Sequence, residues 1–128
     1  MPSQKRQFGD IGEKEAERFL LKNGYKVLGR NYRIKNIGEI DLITEKNGKL
    51  FFFEVKTRNV KHTVDFPIEY SINEKKRRNL KIICQLYLLN NRYSPNLKWQ
   101  VDAIFVKFDD FGRYIIERLE NVLWEKYY

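Results

Sequence analysis

Asp41, Glu54 and Lys56 are the residues of this 128-residue chain best suited to chemistry. They sit in two short stretches, Gly38-Glu39-Ile40-Asp41-Leu42-Ile43 and Glu54-Val55-Lys56. Two carboxylates brought together can hold a divalent cation, which activates water and stabilises charge on a phosphate undergoing hydrolysis. Magnesium takes oxygen ligands and keeps several waters, so one or two carboxylates plus a substrate phosphate suffice. The backbone carbonyl of Val55 can add a further ligand. Lys56 can orient or deprotonate the attacking water, or stabilise developing negative charge, where its surroundings lower its pKa. The chemistry these types allow is hydrolysis of a phosphodiester, with Mg2+ or Mn2+ as the expected cofactor.

A hairpin must position them. Asn47-Gly48 lies between the two stretches, and this dipeptide is the strongest short-range signal for a two-residue hairpin loop. Pairing outward from Lys46 and Lys49 sets Asp41 opposite Glu54 and Glu39 opposite Lys56. Alternation along a strand then puts all four on one face. Opposed carboxylates have Cβ atoms roughly 4.5–5.5 Å apart and repel, so a cation is expected beside them, either a metal or the Lys56 ammonium. Glu39 reads as a supporting residue, a cross-strand partner that holds Lys56. The run Phe51-Phe52-Phe53 is apolar on both faces, which predicts a central strand covered on both sides.

A first helix is predicted from Gln4 to Asn23 by the spacing of Phe8, Ile11, Gly12, Ala16, Phe19 and Leu20, with Gly24 ending it. Glu13 on this helix is expected to complete the carboxylate cluster. Gly9, Gly12 and Ala16 surround it, and such small residues let a helix approach a sheet. Helical glycines cost about 1 kcal/mol each against alanine, so close packing is the expected compensation. Tyr25 to Arg33 reads as a strand, and residues 58–70, with Pro67, as irregular. Ser71 and Glu74 match a capping box for a second helix, whose stripe of Leu80, Ile83, Cys84, Tyr87 and Leu88 runs to about Asn91. Strands follow over Lys98–Phe108 and Arg113–Leu119, joined by a turn at Asp109–Gly112. Residues 120–128 form a tail or short helix that docks through Val122, Leu123 and Trp124. The order αβββαββ predicts one domain over residues 1–128, an α/β sandwich with a central mixed sheet flanked by helices.

Hydrophobic residues make up 42% and charged residues 33%, ordinary for a globular protein. The net charge of +8 and pI near 9.6 favour a polyanionic partner. No apolar run approaches the roughly 20 residues that span a bilayer, and the N-terminal residues lack a signal-peptide core. Cys84 is the single cysteine, which excludes an intramolecular disulfide, and it belongs to the apolar stripe. The expectation is a cytoplasmic protein that binds nucleic acid and no membrane. Arg33, Arg58, Lys61, Lys75 and Arg78 are candidate phosphate contacts, with Arg58 foremost. The basic run at 75–78 opens a helix, where the macrodipole disfavours cations, and that conflict favours a functional use. His62 reads as an ordinary loop residue. Cys/His metal spacing, a glycine-rich phosphate loop and a serine triad are absent from the sequence.

The elements Gly9…Gly12-Glu13…Ala16, Gly24-Tyr25, Asn31-Tyr32-Arg33, Gly38 to Ile43 and Glu54-Val55-Lys56-Thr57-Arg58 resemble the uncharacterised bacterial YraN-like family. That family belongs to the restriction-endonuclease-like PD-(D/E)xK superfamily, and similarity extends to archaeal Holliday junction resolvases. Lys75 falls where the family tends to carry a lysine. The resemblance implies a restriction-endonuclease-like α/β sandwich with Glu13, Asp41, Glu54 and Lys56 as the catalytic set. The implied activity is a metal-dependent endonuclease acting on DNA rather than RNA, including branched or repair intermediates. The alternative is a nucleic-acid-binding module that keeps the scaffold without appreciable turnover. Resemblance to the resolvases also allows a homodimer. Two departures stand out: Asp65-Phe66-Pro67-Ile68 lacks the glycine usual after Arg58, and Gln100-Val101-Asp102 replaces Arg-Phe-Asp, removing either a phosphate contact or an ion-pair partner for Asp102.

Overall fold

The structure is a computed structural model and describes residues 3–59 and 73–123, the side chain of Lys5 excepted. Its elements run α1 (Gln4–Lys22), β1 (Lys26–Ile34), β2 (Gly38–Lys46), β3 (Lys49–Asn59), α2 (Glu74–Asn90), β4 (Trp99–Phe108) and β5 (Tyr114–Leu119). The strands lie in that order in one sheet. Only the β3–β4 pair is parallel. The α/β order and the mixed central sheet are those expected from the sequence.

β3 is the middle strand, and its two faces carry separate cores. Phe53 and Val55 pack with Ala16 and Leu20 of α1 and with Ile104 and Val106 of β4. Phe52 packs on the other side with Leu80, Ile83 and Cys84 of α2 and with Phe105. Phe52 and Phe53 are both fully buried, so the triple-phenylalanine run marks the strand buried on both faces. Among the described residues no helix is long and apolar enough to cross a membrane.

The β2–β3 hairpin turns at Asn47 and Gly48, both at positive φ (53° and 76°), as the two-residue loop requires. Pairing runs in the predicted register from Lys46↔Lys49 to Leu42↔Phe53 and stops one pair short of Asp41 and Glu54. The two strands part at the point where the carboxylates begin.

α1 sits on β3 through Gly12. A Cβ at this position would lie 1.8 Å from Thr57 Oγ1 and 2.9 Å from Thr57 Cβ, so only glycine allows the approach. Gly9 has open space around it, and the close packing expected of both glycines belongs to Gly12 alone. α2 also departs from expectation at its start. Its N-cap is Asn73, whose side chain accepts from the backbone N–H of Lys76 at 2.8 Å. Glu74 is thus the first helical residue, where the predicted capping box has it third; Ser71 lies outside the described residues, as does most of the 58–70 segment.

Asp102 is fully buried, and its partner is supplied from β5. Arg118 donates to Asp102 Oδ2 through Nε at 2.9 Å and Nη2 at 2.6 Å, and through Nη1 to the Tyr25 hydroxyl at 2.7 Å. Gln100 Nε2 and the Asn121 backbone N–H both donate to Oδ1. The ion pair that the missing Arg-Phe-Asp motif removes is therefore restored from another strand. After β5 the chain docks as expected: Val122 N–H donates to Val101 O at 2.8 Å, and Val122 and Leu123 are buried. Trp124 lies outside the described residues.

Two stability predictions follow from these contacts. Gly12→Ala gains helix propensity but collides with a β-branched side chain, so it is expected to destabilise the fold by about 1–3 kcal/mol, whereas Gly9→Ala stabilises it by about 0.5–1 kcal/mol; urea unfolding of the pair measures the difference. Arg118→Met strands the buried Asp102 charge and is expected to cost about 3–5 kcal/mol, and adding Asp102→Asn to it recovers part of the loss. Equal stability of the single and double variants in a denaturant titration would contradict this account.

Candidate functional site

A ladder continued in register would place Val55 opposite Ile40. Because β2 and β3 part, the Val55 N–H needs another acceptor, and Asp41 Oδ2 takes it at 2.7 Å. This contact ties the carboxylate to the backbone immediately after Glu54. Burial pushes the Asp41 carboxyl up, to about 8; the Val55 N–H pulls the other way, while a hydrogen bond with the Glu39 carboxyl and the nearby charges of Glu13 and Glu39 add to the rise. Glu13 is half-buried, and its pKa too is raised, by burial first and then by Glu39 and Asp10, with Arg6 opposing. Glu13, Glu39 and Asp41 thus share one electrostatic neighbourhood.

Glu54 is buried and points to the α2 side. Its Oε1 receives Lys56 Nζ at 3.1 Å and Lys76 Nζ at 2.5 Å. The expected Glu39–Lys56 pair does not form. Glu39 sits opposite Arg33 in the β1–β2 ladder and accepts from its Nε and Nη2 at 3.0 and 2.6 Å. The reason is the parting of the strands: β1 remains paired to β2 at Glu39, and β3 does not. Glu39 and Glu54 instead line a cleft of about 220 Å3 with Asn73, Lys75, Lys76 and Asn79. Glu13 lines a wider groove of about 590 Å3 between α1 and β1, with Asp10, Glu17 and Arg30 among its walls. The carboxylates are therefore divided around the open end of the hairpin: Glu39 and Glu54 face the α2 cleft, Glu13 faces the α1 groove, and Asp41 lies between them on the Val55 N–H.

Asp41 and Glu54, with the Val55 carbonyl, are oxygen donors of the type that Mg2+ and Mn2+ take. Among the described residues no three His, Cys, Asp or Glu side chains are grouped to hold a metal ion. Among the described residues a cation held here would draw on two carboxylates at most, with backbone, water and substrate oxygen completing its shell.

The basic candidates divide. Arg33 is engaged by Glu39, and Arg30 forms a two-pronged pair with Glu17 at 2.6 Å on each side. Arg58 is exposed and donates to Thr57 O at 3.0 Å. Lys75 lines the cleft, Arg78 is exposed on α2, and Lys61 lies outside the described residues, as does His62. The residue that sequence reasoning missed is Lys76. Its signal was the cationic run at the start of α2; Lys75, singled out from that run, lines the same cleft, and Lys76 is the one that reaches Glu54.

Residues 12–106 match the uncharacterised protein family UPF0102. A UPF0102 protein of Acetivibrio thermocellus is 36% identical over 108 residues, covering 84% of this chain and 81% of the relative. One from Carboxydothermus hydrogenoformans is 36% identical over 121 residues, covering 93% and 97%. Among solved structures, Pyrococcus furiosus SfsA in complex with Ca2+ overlaps 91% of this chain at 16% identity and a TM-score of 0.42. The chain spans 63% of that structure's length, and the likeness is too distant to carry function. The family match and the relatives' coverage place this chain in UPF0102, the YraN-like family related to the PD-(D/E)xK nucleases.

Proposed function

We propose that the protein is a metal-dependent phosphodiester hydrolase, an endonuclease acting on DNA in preference to RNA. The observation that carries this reading is the parting of β2 and β3, where part-buried Asp41 is fixed to the Val55 N–H, between Glu54 and Lys56 along the strand. Acids kept in a partly dry site cost stability, and a divalent cation would offset that cost. Asp41, Glu54 and the Val55 carbonyl would hold Mg2+ or Mn2+, with Glu13 assisting through water. The bound ion would supply an activated water and neutralise charge on the phosphate. Lys56, kept beside Glu54, orients that water and stabilises the charge that develops. Arg58, Lys75 and Arg78 track the nucleic-acid backbone, and the net charge of +8 draws the polyanion in.

One observation favours a second reading, a binding module with little turnover. Glu54 already carries two ammonium groups on one oxygen, which is charge balance enough for a structural site.

Purified protein with Mn2+ or Mg2+ is expected to cut linear or branched DNA. Asp41→Ala and Glu54→Ala should each lower the rate by at least about 100-fold, of the order lost with one strong electrostatic contact to the transition state. Retained cleavage in either variant would misplace the site, and binding without cleavage on every substrate would select the module.

Asp41 also makes the fold sensitive to pH. Its carboxyl titrates near 8 in the folded chain against 3.8 as the ordinary value, so the folded state keeps a proton that the unfolded chain releases. Stability from this group is complete below the lower value and declines as pH rises toward the upper one. Asp41→Asn keeps an acceptor for Val55 N–H without the charge. In chelator, its Tm advantage over wild type is expected to widen by at least about 3 °C between pH 5 and pH 8.5. Adding Mn2+ at pH 7.5 should raise the wild-type Tm and release a proton, and do neither in Asp41→Asn. A pH-independent Tm difference in scanning calorimetry would rule out the buried acid.

A further inference from the structure

Lys76 is the cation in this site with no assigned work. It lies in the first turn of α2, three residues after the Asn73 cap, where the helix dipole opposes positive charge. Its ammonium nevertheless comes within 2.5 Å of Glu54 Oε1, nearer than Lys56 at 3.1 Å, although Lys56 shares the strand with Glu54. The Lys76 side chain is 35% exposed against 10% for Glu54, so it reaches from the rim of the cleft down to the buried acid.

We propose that Lys76 is an exchangeable counter-ion, which holds Glu54 until a divalent cation claims that oxygen and then turns to the phosphate backbone of the substrate. The proposal rests on the nuclease reading above. Both ammonium groups share one oxygen, so a cation coordinated there must displace at least one of them. Lys56 is carried by the β3 backbone beside the acid. Lys76 comes from a different element on a long flexible stem, and it has the cleft mouth beside Lys75 and Asn79 to move into. That mouth is where a backbone phosphate following the α2 N-terminus would pass, and an ammonium there meets it as a point charge. Metal and nucleic acid would therefore compete for Lys76 in opposite senses: it hinders the first and helps the second.

The test measures the metal alone, then nucleic acid with the metal site filled. Titrating Mn2+ in the absence of nucleic acid by calorimetry should show tighter binding to Lys76→Met than to wild type, by about threefold or more, because a nearby like charge has gone. Titrating a short DNA duplex in saturating Ca2+, by fluorescence anisotropy across a salt series, should show weaker binding to Lys76→Met and a log–log salt slope reduced by about one, a difference that shrinks in chelator, where Lys76 stays on Glu54. Lys76→Arg, which keeps the charge, should stay near wild type in both. A merely structural tie between α2 and β3 would instead loosen metal binding in Lys76→Met, and unchanged or weaker Mn2+ binding overturns the proposal while leaving the metal site intact. If wild type and Glu54→Ala bind Mn2+ alike, the metal site itself is wrong, and the nuclease reading falls together with this one.

Discussion

The hydrogen bond from Val55 N–H to the Asp41 carboxylate is the contact around which this protein is arranged. Sheets satisfy backbone donors by continuing their ladders, and a strand that leaves its neighbour must hand each donor to something else. Here the replacement is an acidic side chain, so the departure of β3 from β2 creates an opening and places an acid in its apex at the same moment. The residue on one side of Val55 is the acid Glu54, and on the other is Lys56. Neither could reach this opening had the ladder continued, because the paired strands would have closed it.

Such a defect is tolerable only in a strand that cannot move. β3 is held by apolar packing on both faces, through Phe53 and Val55 toward α1 and through Phe52 toward α2, and by a ten-pair parallel register with β4. The far end of the sheet is fixed separately. Arg118 joins β5 to Asp102 in β4 and to Tyr25 at the head of β1, and its guanidinium lies 5.2–5.6 Å from the rings of Tyr25, Phe51 and Phe53. Charge burial is expensive alone but acceptable when every donor is matched and aromatic faces cover the cation. The open end of the hairpin can thus be irregular while the closed end remains rigid.

The sequence made the scaffold legible wherever the cause was local. Asn47-Gly48 dictated its turn and register, Phe51 to Phe53 announced the central strand, and the stripe from Leu80 to Leu88 set the buried face of α2. Gly12 was recognisable as a packing glycine, but Gly9 looked identical, because only the position of Thr57 across the interface separates them. The site was half legible for the same reason. Asp41 reaches the strand that carries Glu54 and Lys56 through the Val55 N–H, and Lys56 stands beside Glu54, but the paired register that hairpin arithmetic follows ends at Leu42↔Phe53. Glu39 was given the wrong cation, because arithmetic assumes that pairing goes on. Lys76 and Arg118 come to their acids from other elements, and no spacing along the chain encodes that distance.

The seat of α1 on β3 carries one further consequence. Contact through a residue without a side chain acts as an index mark: it fixes how far the helix is turned about its own axis as well as how near it stands. Successive helical residues are separated by about 100° of rotation, so shifting the mark by one residue would swing Glu13 out of the neighbourhood of Asp41 altogether. The mark lies mid-helix, and Ala16 and Leu20, fully buried against the same sheet face, hold the angle it sets. What the fold must conserve there is an angle, and one hydrogen atom in place of a methyl group is enough to keep it.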